Sequence, residues 1–463
     1  MVEGAEDHPR SSIPKEELPV PATHTQSYAT SKSIFEHNRK YIPGGVMSLP
    51  RRTEPELAFE KAKGAFMWDA DGNRYLDYHA AFGPTVLGHN DHYVNVAVER
   101  TLKAGLDLCG SGTNTLEGRL AELMCTNIEV CEMVQILNTG TEATMSALRL
   151  ARGITGRDHI IVMQGGFNGS HNDVACNVLT PIELIGPRVS PGEYKYIPLG
   201  SGVPLAHQQL VHIVNFNDLD SVKYVCKRYP IAALITEPIL QNIGIIKPLP
   251  GYLQGLRELA DKYGFLLIFD EVKTGFRHSL GGYSKISGVR PDLAVFAKAM
   301  ANGYVISCLV GKRELMQCIA DADPTKRPFV AGTYNGHPLS LSAAIATIER
   351  LLEGNGEIYE RLNRLGEQIQ AGIEDILRAC GITGVVARQG SAFCIYFMDH
   401  EPRDWHDLAS NHDFARDRNM RQKMIQRGIY FFPVETKQCS ISAAHTEADI
   451  ELTLGMLDQC LHS

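Results

Sequence analysis

The stretch of sequence that decides the fold is FLLIFDEV, residues 265–272, in which a continuous apolar run ends in two acids, Asp270 and Glu271. A second run, LAVFAKAM at 293–300, carries Lys298 near its end. Short apolar runs of this kind are typical of strands that are buried on both faces of a sheet. Because a buried carboxylate is costly unless a cation or a strong donor meets it, an ionised Asp270 implies such a partner.

Similar runs rich in β-branched residues lie on both sides of this stretch, and segments with helical spacing separate several of them. The predicted strands are Met133–Leu137, His159–Met163, His212–Phe216, Ala232–Thr236, Phe265–Asp270, Leu293–Ala297 and Ser307–Val310, and two of the predicted helices are Leu219–Arg228 and Leu253–Tyr263. Buried strands that alternate with helices predict an α/β fold with a mainly parallel central sheet covered on both faces.

The pattern changes along the chain, which predicts a domain organisation in four segments. Residues 1–25 are polar and Pro-rich and are expected to be a mobile lead-in. Residues 26–89 are expected to start a smaller α+β domain, residues 90–337 to form the large domain, and residues 338–463 to complete the smaller one. Its predicted elements are strands at 65–68, 74–77, 392–397 and 429–432, helices from 338 to about 353 and at 358–379, and a final helix with a capping-box-like start at 446–449.

Composition and charge exclude several classes of protein. The chain has 463 residues, 45 Lys and Arg against 53 Asp and Glu, a net charge of −8 and no basic run, so nucleic acid is not an expected partner. The longest apolar runs fall far short of the ~20 residues of a membrane helix. The acidic, Pro-rich N-terminus lacks the features of a secretory signal or transit peptide, which predicts a cytoplasmic protein.

Eleven cysteines are scattered along the chain without a C-x-x-C pair or a nearby Cys/His cluster. Their odd number and spacing predict reduced, mostly buried thiols rather than a disulfide framework. For the same reason no metal site is expected.

Four local signals fall where strands are predicted to meet helices, the edge at which open α/β sheets bind ligands. Asn138–Ala143, NTGTEA, offers backbone N–H groups and hydroxyls for a phosphate, although these residues are also ordinary helix caps. Asp270 either meets a cation, or one of the two acids, Asp270 and Glu271, caps a helix and the other faces water. Lys298 is either a desolvated nucleophilic amine or a lysine that extends to solvent at a strand end. Phe167, in the stretch GGFNG at 165–169, either stacks on a flat cofactor or belongs to the core.

Together, a phosphate cradle, an aromatic ring, an acid for a pyridinium nitrogen and an imine-forming lysine are what a pyridoxal phosphate site needs. The sequence resembles class III aminotransferases of fold type I, and within them the glutamate-1-semialdehyde aminomutase subgroup. The resembling stretches are PGGVMSLPR at 43–51, GPTVLGH at 83–89, NTGTEATMSALRLARGITGRD at 138–158, EPILQNIG at 237–244, LLIFDEVKTGFR at 266–277, PDLAVFAKAM at 291–300 and GTYNGHP at 332–338.

The resemblance implies a homodimer with shared active sites and a role for each matching residue. Lys298 would hold pyridoxal 5′-phosphate as the internal aldimine and move the proton between Cα and C4′, while Asp270 would pair with the ring nitrogen. The other implied contacts are Val272 and Phe167 on the two ring faces, Gly140 and Thr141 on the phosphate, Thr333 on the phosphate of the neighbouring subunit, Asn242 near the phenolic oxygen, and Arg51 on a substrate carboxylate.

Three departures from the aminomutase pattern fall around the expected substrate pocket. Ala301–Ser307 replaces a Gly-Gly-Gly-Leu-Pro-Val-Gly run, Phe167–Gly169 replaces Tyr-His-Gly, and Lys437 stands where an acidic residue is expected. These changes favour an aminotransferase that moves an amino group between an amino acid or amine and a carbonyl acceptor.

Other functions remain as alternatives. The nearest is an aminomutase, racemase or other isomerase on the same cofactor, which would convert one substrate alone. A non-catalytic protein that binds the cofactor is disfavoured because Lys298 and Asp270 are both present. A serine hydrolase or a dinucleotide oxidoreductase is disfavoured because the chain has neither G-x-S-x-G nor G-x-G-x-x-G.

Overall fold

The computed structural model describes residues 26–106 and 110–462, so the predicted mobile lead-in, residues 1–25, lies outside the described residues. The strands are β1 Phe59–Lys63, β2 Phe66–Asp69, β3 Arg74–Asp77, β4 Met133–Leu137, β5 His159–Met163, β6 Val211–Val214, β7 Ile231–Thr236, β8 Leu266–Asp270, β9 Leu293–Phe296, β10 Ser307–Gly311, β11 Val385–Gln389, β12 Ala392–Tyr396, β13 Ile429–Tyr430 and β14 Cys439–Ser440. The α-helices are α1 Ala29–Asn38, α2 His92–Lys103, α3 Thr115–Asn127, α4 Gly140–Thr155, α5 Ile182–Ile185, α6 Leu205–Gln208, α7 Leu219–Cys226, α8 Tyr252–Tyr263, α9 Gly282–Ser287, α10 Arg313–Met316, α11 Pro338–Leu352, α12 Glu357–Ala379, α13 Trp405–Asn411, α14 Phe414–Ile425 and α15 Glu447–His462.

A seven-stranded sheet forms the centre of the fold, with strand order β4-β10-β9-β8-β7-β5-β6. Its strands are the seven predicted ones, with bounds that differ by two residues at most. Strands β7, β8 and β9 are neighbours and run parallel, and Asp270 at the end of β8 pairs with Val295 of β9. The carboxyl ends of β8 and β9 therefore lie side by side, as the sequence predicted.

Strand β10 is the exception to the parallel arrangement, because it runs antiparallel to both of its neighbours, β4 and β9. The reason is the short connection between β9 and β10, residues 297–306. A parallel crossover needs about a dozen residues or more and usually a helix, so a shorter connection turns the chain back antiparallel. This connection contains Lys298.

Both faces of the central sheet are buried, and consecutive residues of its strands belong to two different apolar clusters. In β8, Leu267 and Phe269 pack in one cluster, whereas Ile268 packs in the other. Helix α4 covers one face and contacts β7, β9 and β10. This arrangement confirms the prediction of a sheet covered on both sides.

The smaller sheets join distant parts of the chain. Strand β13 pairs in parallel with β3 and completes a sheet of order β1-β2-β3-β13, so the N- and C-terminal segments meet there. Strands β11, β12 and β14 form a third sheet.

At the start of α15, the Thr446 backbone N–H donates to Asp449 Oδ2 at 2.8 Å and the Asp449 N–H donates to Thr446 Oγ1 at 3.2 Å, which confirms the predicted capping box. The predicted domain boundaries remain a prediction.

The ten cysteines among the described residues are free thiols, and six of them are buried, in agreement with the sequence-based expectation; Cys109 is not described. The fold also brings Cys380, at the end of α12, beside Asp458 and His462 of α15, with their ligand atoms within 4.8 Å of one another. Spacing in the sequence gives no sign of this partly exposed group.

In the parts of the chain that the structure describes, no helix has both the length and the apolar character that crossing a membrane requires.

Candidate active site

Lys298 lies directly beyond the carboxyl end of β9. Its backbone is left-handed, with φ of +50°, and it opens a 3₁₀ helix, Lys298–Ala301. A left-handed residue with a Cβ is strained, and such strain persists where the surroundings enforce it, most often at functional sites. Burial lowers the pKa of the Lys298 amine, whereas the charges of Asp270 and Glu237 raise it. A lowered pKa leaves more of the amine in its neutral, nucleophilic form.

Asp270 is a buried carboxylate at the end of β8, the neighbouring strand. Its Oδ2 accepts a hydrogen bond of 2.9 Å from Asn168 Nδ2, and its Oδ1 accepts one of 3.0 Å from the Val272 backbone N–H. Burial, followed by the charge of Glu237, raises the pKa of Asp270 to about 7. Both donors are neutral amides, so the carboxylate is held in place without a cation in contact among the described residues.

The start of α4 faces the same cavity. Helix α4 begins at Gly140 with a capping box in which the Glu142 N–H donates to Thr139 Oγ1. Thr141 Oγ1 accepts a bond of 3.2 Å from the Ser170 N–H. A Cβ on Gly140 would lie 3.1 Å from Val272 Cγ2, so glycine allows the helix end to approach Val272 closely. The first N–H groups of a helix are donors suited to an anion.

These elements enclose a cavity of about 170 Å³. It is lined by Gly140, Thr141, Phe167, Asn168, Gly169, Glu237, Asn242, Asp270, Val272, Lys273, Ala297 and Lys298. Seven of the nine site residues predicted from the sequence are among them. The fold thus brings together residues that are up to 158 positions apart in the chain, from Gly140 to Lys298.

The lining residues fit pyridoxal phosphate. Among the described residues no cation is in contact with Asp270, although the charge of Lys298 acts on it, and a protonated pyridine nitrogen would supply such a contact and lower the raised pKa of Asp270. Lys298 presents an amine, the start of α4 presents N–H donors for a phosphate, and Val272 and the partly exposed Phe167 present apolar surface for the faces of a ring.

Arg51 and Thr333 do not line this cavity. Arg51 is exposed in a short 3₁₀ helix, Leu49–Arg51, and its charge contributes to lowering the pKa of the buried His79. Thr333 is exposed on the loop before α11. That loop is tied to the start of α4, because Asn138 Nδ2 donates to Asn335 Oδ1 at 2.9 Å.

The sequence assigned no role to five lining residues: Asn168, Gly169, Glu237, Lys273 and Ala297. Asn168 holds Asp270, and the buried Glu237 accepts hydrogen bonds of 3.0 Å from the Phe167 N–H and 2.9 Å from the Gln241 N–H. Lys273 is buried three residues after Asp270. Glu237 had a local signal, since it directly follows the predicted strand Ala232–Thr236, whereas Glu271 and Val272 separate Lys273 from the end of β8.

Comparison with known proteins agrees with this geometry. Residues 48–461 match the family model of the class III aminotransferases. Glutamate-1-semialdehyde 2,1-aminomutase 2 of Lachnoclostridium phytofermentans is 37% identical over 440 residues, which is 93% of this chain and 99% of that protein. The glutamate-1-semialdehyde 2,1-aminomutase of Thermus thermophilus is 36% identical over 439 residues, with coverage of 93% and 99%. An omega-transaminase from Sphaerobacter thermophilus superposes with a TM-score of 0.84 at 28% identity, covering 93% of this chain and 97% of that one.

The chain therefore belongs to the class III aminotransferase family and has the fold of fold type I enzymes. The predicted cofactor, pyridoxal 5′-phosphate, is confirmed.

Proposed function

We propose that this protein is an aminotransferase that uses pyridoxal phosphate to move an amino group between an amino acid or amine and a carbonyl acceptor. The observation that carries the proposal is the meeting of Lys298 and Asp270 in one cavity, each at the end of its own strand in adjacent positions of the sheet. Gly140 and Thr141 at the start of α4, Asn168 and Gly169 after β5, and Asn242 after β7 also line the cavity. Family membership supports the same chemistry.

Each residue has a role that follows from its position. When bound, pyridoxal phosphate supplies an electron sink that stabilises negative charge at the substrate Cα. Lys298 Nζ removes and holds the Cα proton, and the Asp270 carboxylate holds the proton of the ring nitrogen. The N–H groups of Gly140 and Thr141 would bind the phosphate, Phe167 and Val272 would cover the two ring faces, and Asn242 would contact the phenolic oxygen.

The second candidate is a glutamate-1-semialdehyde aminomutase, the activity named for the relatives that are 36% and 37% identical. Against it stands Lys437, at the position where the aminomutase pattern has an acidic residue. Its Nζ donates to the backbone carbonyl of Asn242 at 2.8 Å, and Asn242 lines the cavity. The change of charge therefore falls against the pocket itself, which favours a different substrate.

The discriminating experiment is to supply one substrate at a time to the loaded enzyme and follow the absorbance of the lysine-bound cofactor. An aminotransferase is expected to convert one equivalent of amino donor and stop until a carbonyl acceptor is added. Many turnovers of glutamate 1-semialdehyde alone to an isomer, without an acceptor, would establish the aminomutase instead. Racemisation of a single amino acid would establish an isomerase of another kind.

We also propose that the enzyme acts as a cytoplasmic homodimer in which Thr333 reaches the phosphate of the neighbouring subunit. Large apolar side chains are exposed at Val305, Phe329 and Tyr334, and Tyr334 is adjacent to Thr333. Exposed apolar surface of this kind marks interaction sites. A second copy of the chain would cover these residues and bring Thr333 to a second active site.

A further inference from the structure

Two lysines lie on the wall of the cavity beside Asn242. Lys273 Nζ donates to the backbone carbonyl of Gln241 at 3.0 Å, and Lys437 Nζ donates to the next carbonyl, that of Asn242, at 2.8 Å. Because consecutive Cα atoms are only ~3.8 Å apart, the two amines are held on one short piece of backbone. Lys273 is 7% exposed and itself lines the cavity.

Neither amine forms an ion pair among the described residues, although the charge of Glu237 acts on both. Among the described residues no carboxylate lies within the 4.0 Å of an ion pair from Lys273 or Lys437. Of the lining residues, only Asp270 and Glu237 carry carboxylates. Glu237 already accepts two backbone N–H groups, and Asp270 is reserved for the ring nitrogen in the proposed function.

Charges of both signs act on the two amines. Burial lowers the pKa of Lys273 well below its ordinary value, and the charges of Lys298 and Lys437 lower it further, while the charge of Glu237 opposes the shift. Burial also lowers the pKa of Lys437, to about 8, against the opposing charges of Glu237 and Glu435. A buried cation without a counter-ion is unfavourable, so an anion that enters the cavity here would replace lost solvation and be bound tightly.

The buried His79 lies close enough to several cationic groups to respond to their charges. Its ring is buried and stacked on Phe432, with 4.2 Å between ring centroids and 14° between planes. After burial, the charges of Lys273 and Lys437, and more weakly that of Arg51, lower the pKa of His79. The exposed Arg51 thus belongs to the same positive region as the two buried lysines. Arg421 also contributes, but it is paired with Asp417 at 2.6 Å.

We propose that Lys273 and Lys437 form a recognition site for a second carboxylate of the substrate, remote from the reacting carbon. The preferred substrates are then amino acids and oxo acids with two carboxylates, one of them bound by Arg51 and the other by the lysine pair. This inference rests on the proposed function, because it assigns the substrate class of the same site. The Gln241 and Asn242 carbonyls hold both amines in position when no substrate is bound.

Binding of unreactive acids to the cofactor-loaded enzyme tests the assignment. Glutarate has two carboxylates and butyrate has one, and neither has an amino or oxo group that would react. By titration calorimetry the unmodified enzyme is expected to bind glutarate at least about tenfold more tightly than butyrate, as a charged hydrogen bond in a buried site implies. Equal affinities for the two acids would overturn the proposal.

Substitutions show whether the lysines are responsible. Lys273→Met and Lys437→Met keep the length of the side chain and remove its charge, so both variants should lose the preference for glutarate while binding butyrate as before. Lys437→Arg keeps the charge and should retain much of the preference. Lys247→Met is the matched control, because Lys247 is partly exposed and paired with Glu401 at 2.8 Å, away from the cavity lining.

The variants also separate recognition from a structural role. If the Met variants lose affinity for both acids equally, or if they release the cofactor, the lysines only support the fold and the proposal is wrong. Thermal melting and the absorbance of the bound cofactor identify folded, loaded protein before each titration. Because calorimetry does not require turnover, the preference for glutarate is measured whether the enzyme proves to be an aminotransferase or an aminomutase.

Discussion

The side-chain amide of Asn168 donates a hydrogen bond of 2.9 Å to the Asp270 carboxylate and so joins the loop after β5 to the end of β8. Strand β7 lies between these two strands in the sheet. Burial and the charge of Glu237 raise the pKa of Asp270 and so favour its neutral form. The hydrogen bond from Asn168 lowers the pKa and so favours the charged form. The hydrogen bond from Asn168 thereby offsets part of the rise in the pKa of Asp270, and a cation in contact with the carboxylate would favour its charged form further.

Replacing Asp270 by Asn tests whether that charge is used. The variant keeps the size of the side chain but removes the charge-assisted bond to a protonated ring nitrogen. We expect the half-reaction with an amino donor to slow by about a hundredfold or more, since a hydrogen bond to a charged group is worth roughly 1.5–3 kcal/mol and the electron sink is also weakened. Stopped-flow absorbance measures this rate, and a nearly unchanged rate would show that Asp270 has another role.

The raised pKa of Asp270 also predicts how the stability of the apoprotein depends on pH. Burial and the charge of Glu237 raise the pKa of Asp270 in the folded chain to about 7, from 3.8 in a free carboxyl, so between these values the folded chain binds more protons at Asp270 than the unfolded chain. Stability from this group is therefore fully present below about 4 and is lost as pH rises to about 7. Melting temperatures of apoprotein and of Asp270→Asn, compared across this range, should converge at low pH and differ most above pH 7, with the variant more stable there.

The central part of the fold was accessible from sequence because its strands are buried on both faces. Such strands must be apolar throughout, and β8 and β9 carry that pattern up to Asp270 and Lys298. Strand β1, FEKAK, has mostly exposed residues and hence no apolar signal, and it was missed. The reversed direction of β10 depends on the length of a connection rather than on the composition of the strand, so its apolar run alone did not reveal it.

The site was predictable where residues act through their own strand or helix end, as Gly140 and Asp270 do. It was not predictable where a side chain acts on a distant one. Asn168 holds Asp270 across 102 positions, and Lys437 binds the Asn242 carbonyl across 195. Those contacts arise only when the sheet is assembled and the C-terminal segment packs beside it.

Replacement of Lys298 by Ala tests the covalent anchor. Removing the amine should abolish attachment of the cofactor and nearly all turnover, because no other group at that position can form an imine. Borohydride reduction of the loaded enzyme followed by peptide mass spectrometry should locate the cofactor on Lys298 and nowhere else. Lys326→Ala, at an exposed lysine, is the control that should react like the unmodified enzyme. Cofactor trapped on Lys273, the other lysine in the cavity lining, would refute the assignment.

Arg51 is predicted to bind a substrate carboxylate, since its planar fork can contact both oxygens at once. Arg51→Ala should then reduce kcat/KM for amino acids by about tenfold or more and leave simple amines nearly unaffected. Arg52→Ala is the matched control, because Arg52 is the exposed neighbour and lies 4.0 Å from Glu56 instead. Equal losses for amino acids and amines would remove Arg51 from the recognition site.

Thr333 is predicted to join two subunits through the cofactor phosphate. It is exposed within its own chain, on a loop that Asn335 ties to Asn138 near the start of α4. Thr333→Ala should weaken cofactor retention about tenfold, through loss of a hydrogen bond to a charged phosphate worth roughly 1.5–3 kcal/mol, while borohydride still traps cofactor on Lys298.

Since a ligand that contacts both subunits binds only the assembled state, added cofactor should also shift the equilibrium from monomer to dimer. Sedimentation of apo- and holoenzyme across a dilution series, measured together with activity, tests both expectations, with Thr325→Ala as the control. A fully active monomer would contradict the shared site and the role assigned to Thr333.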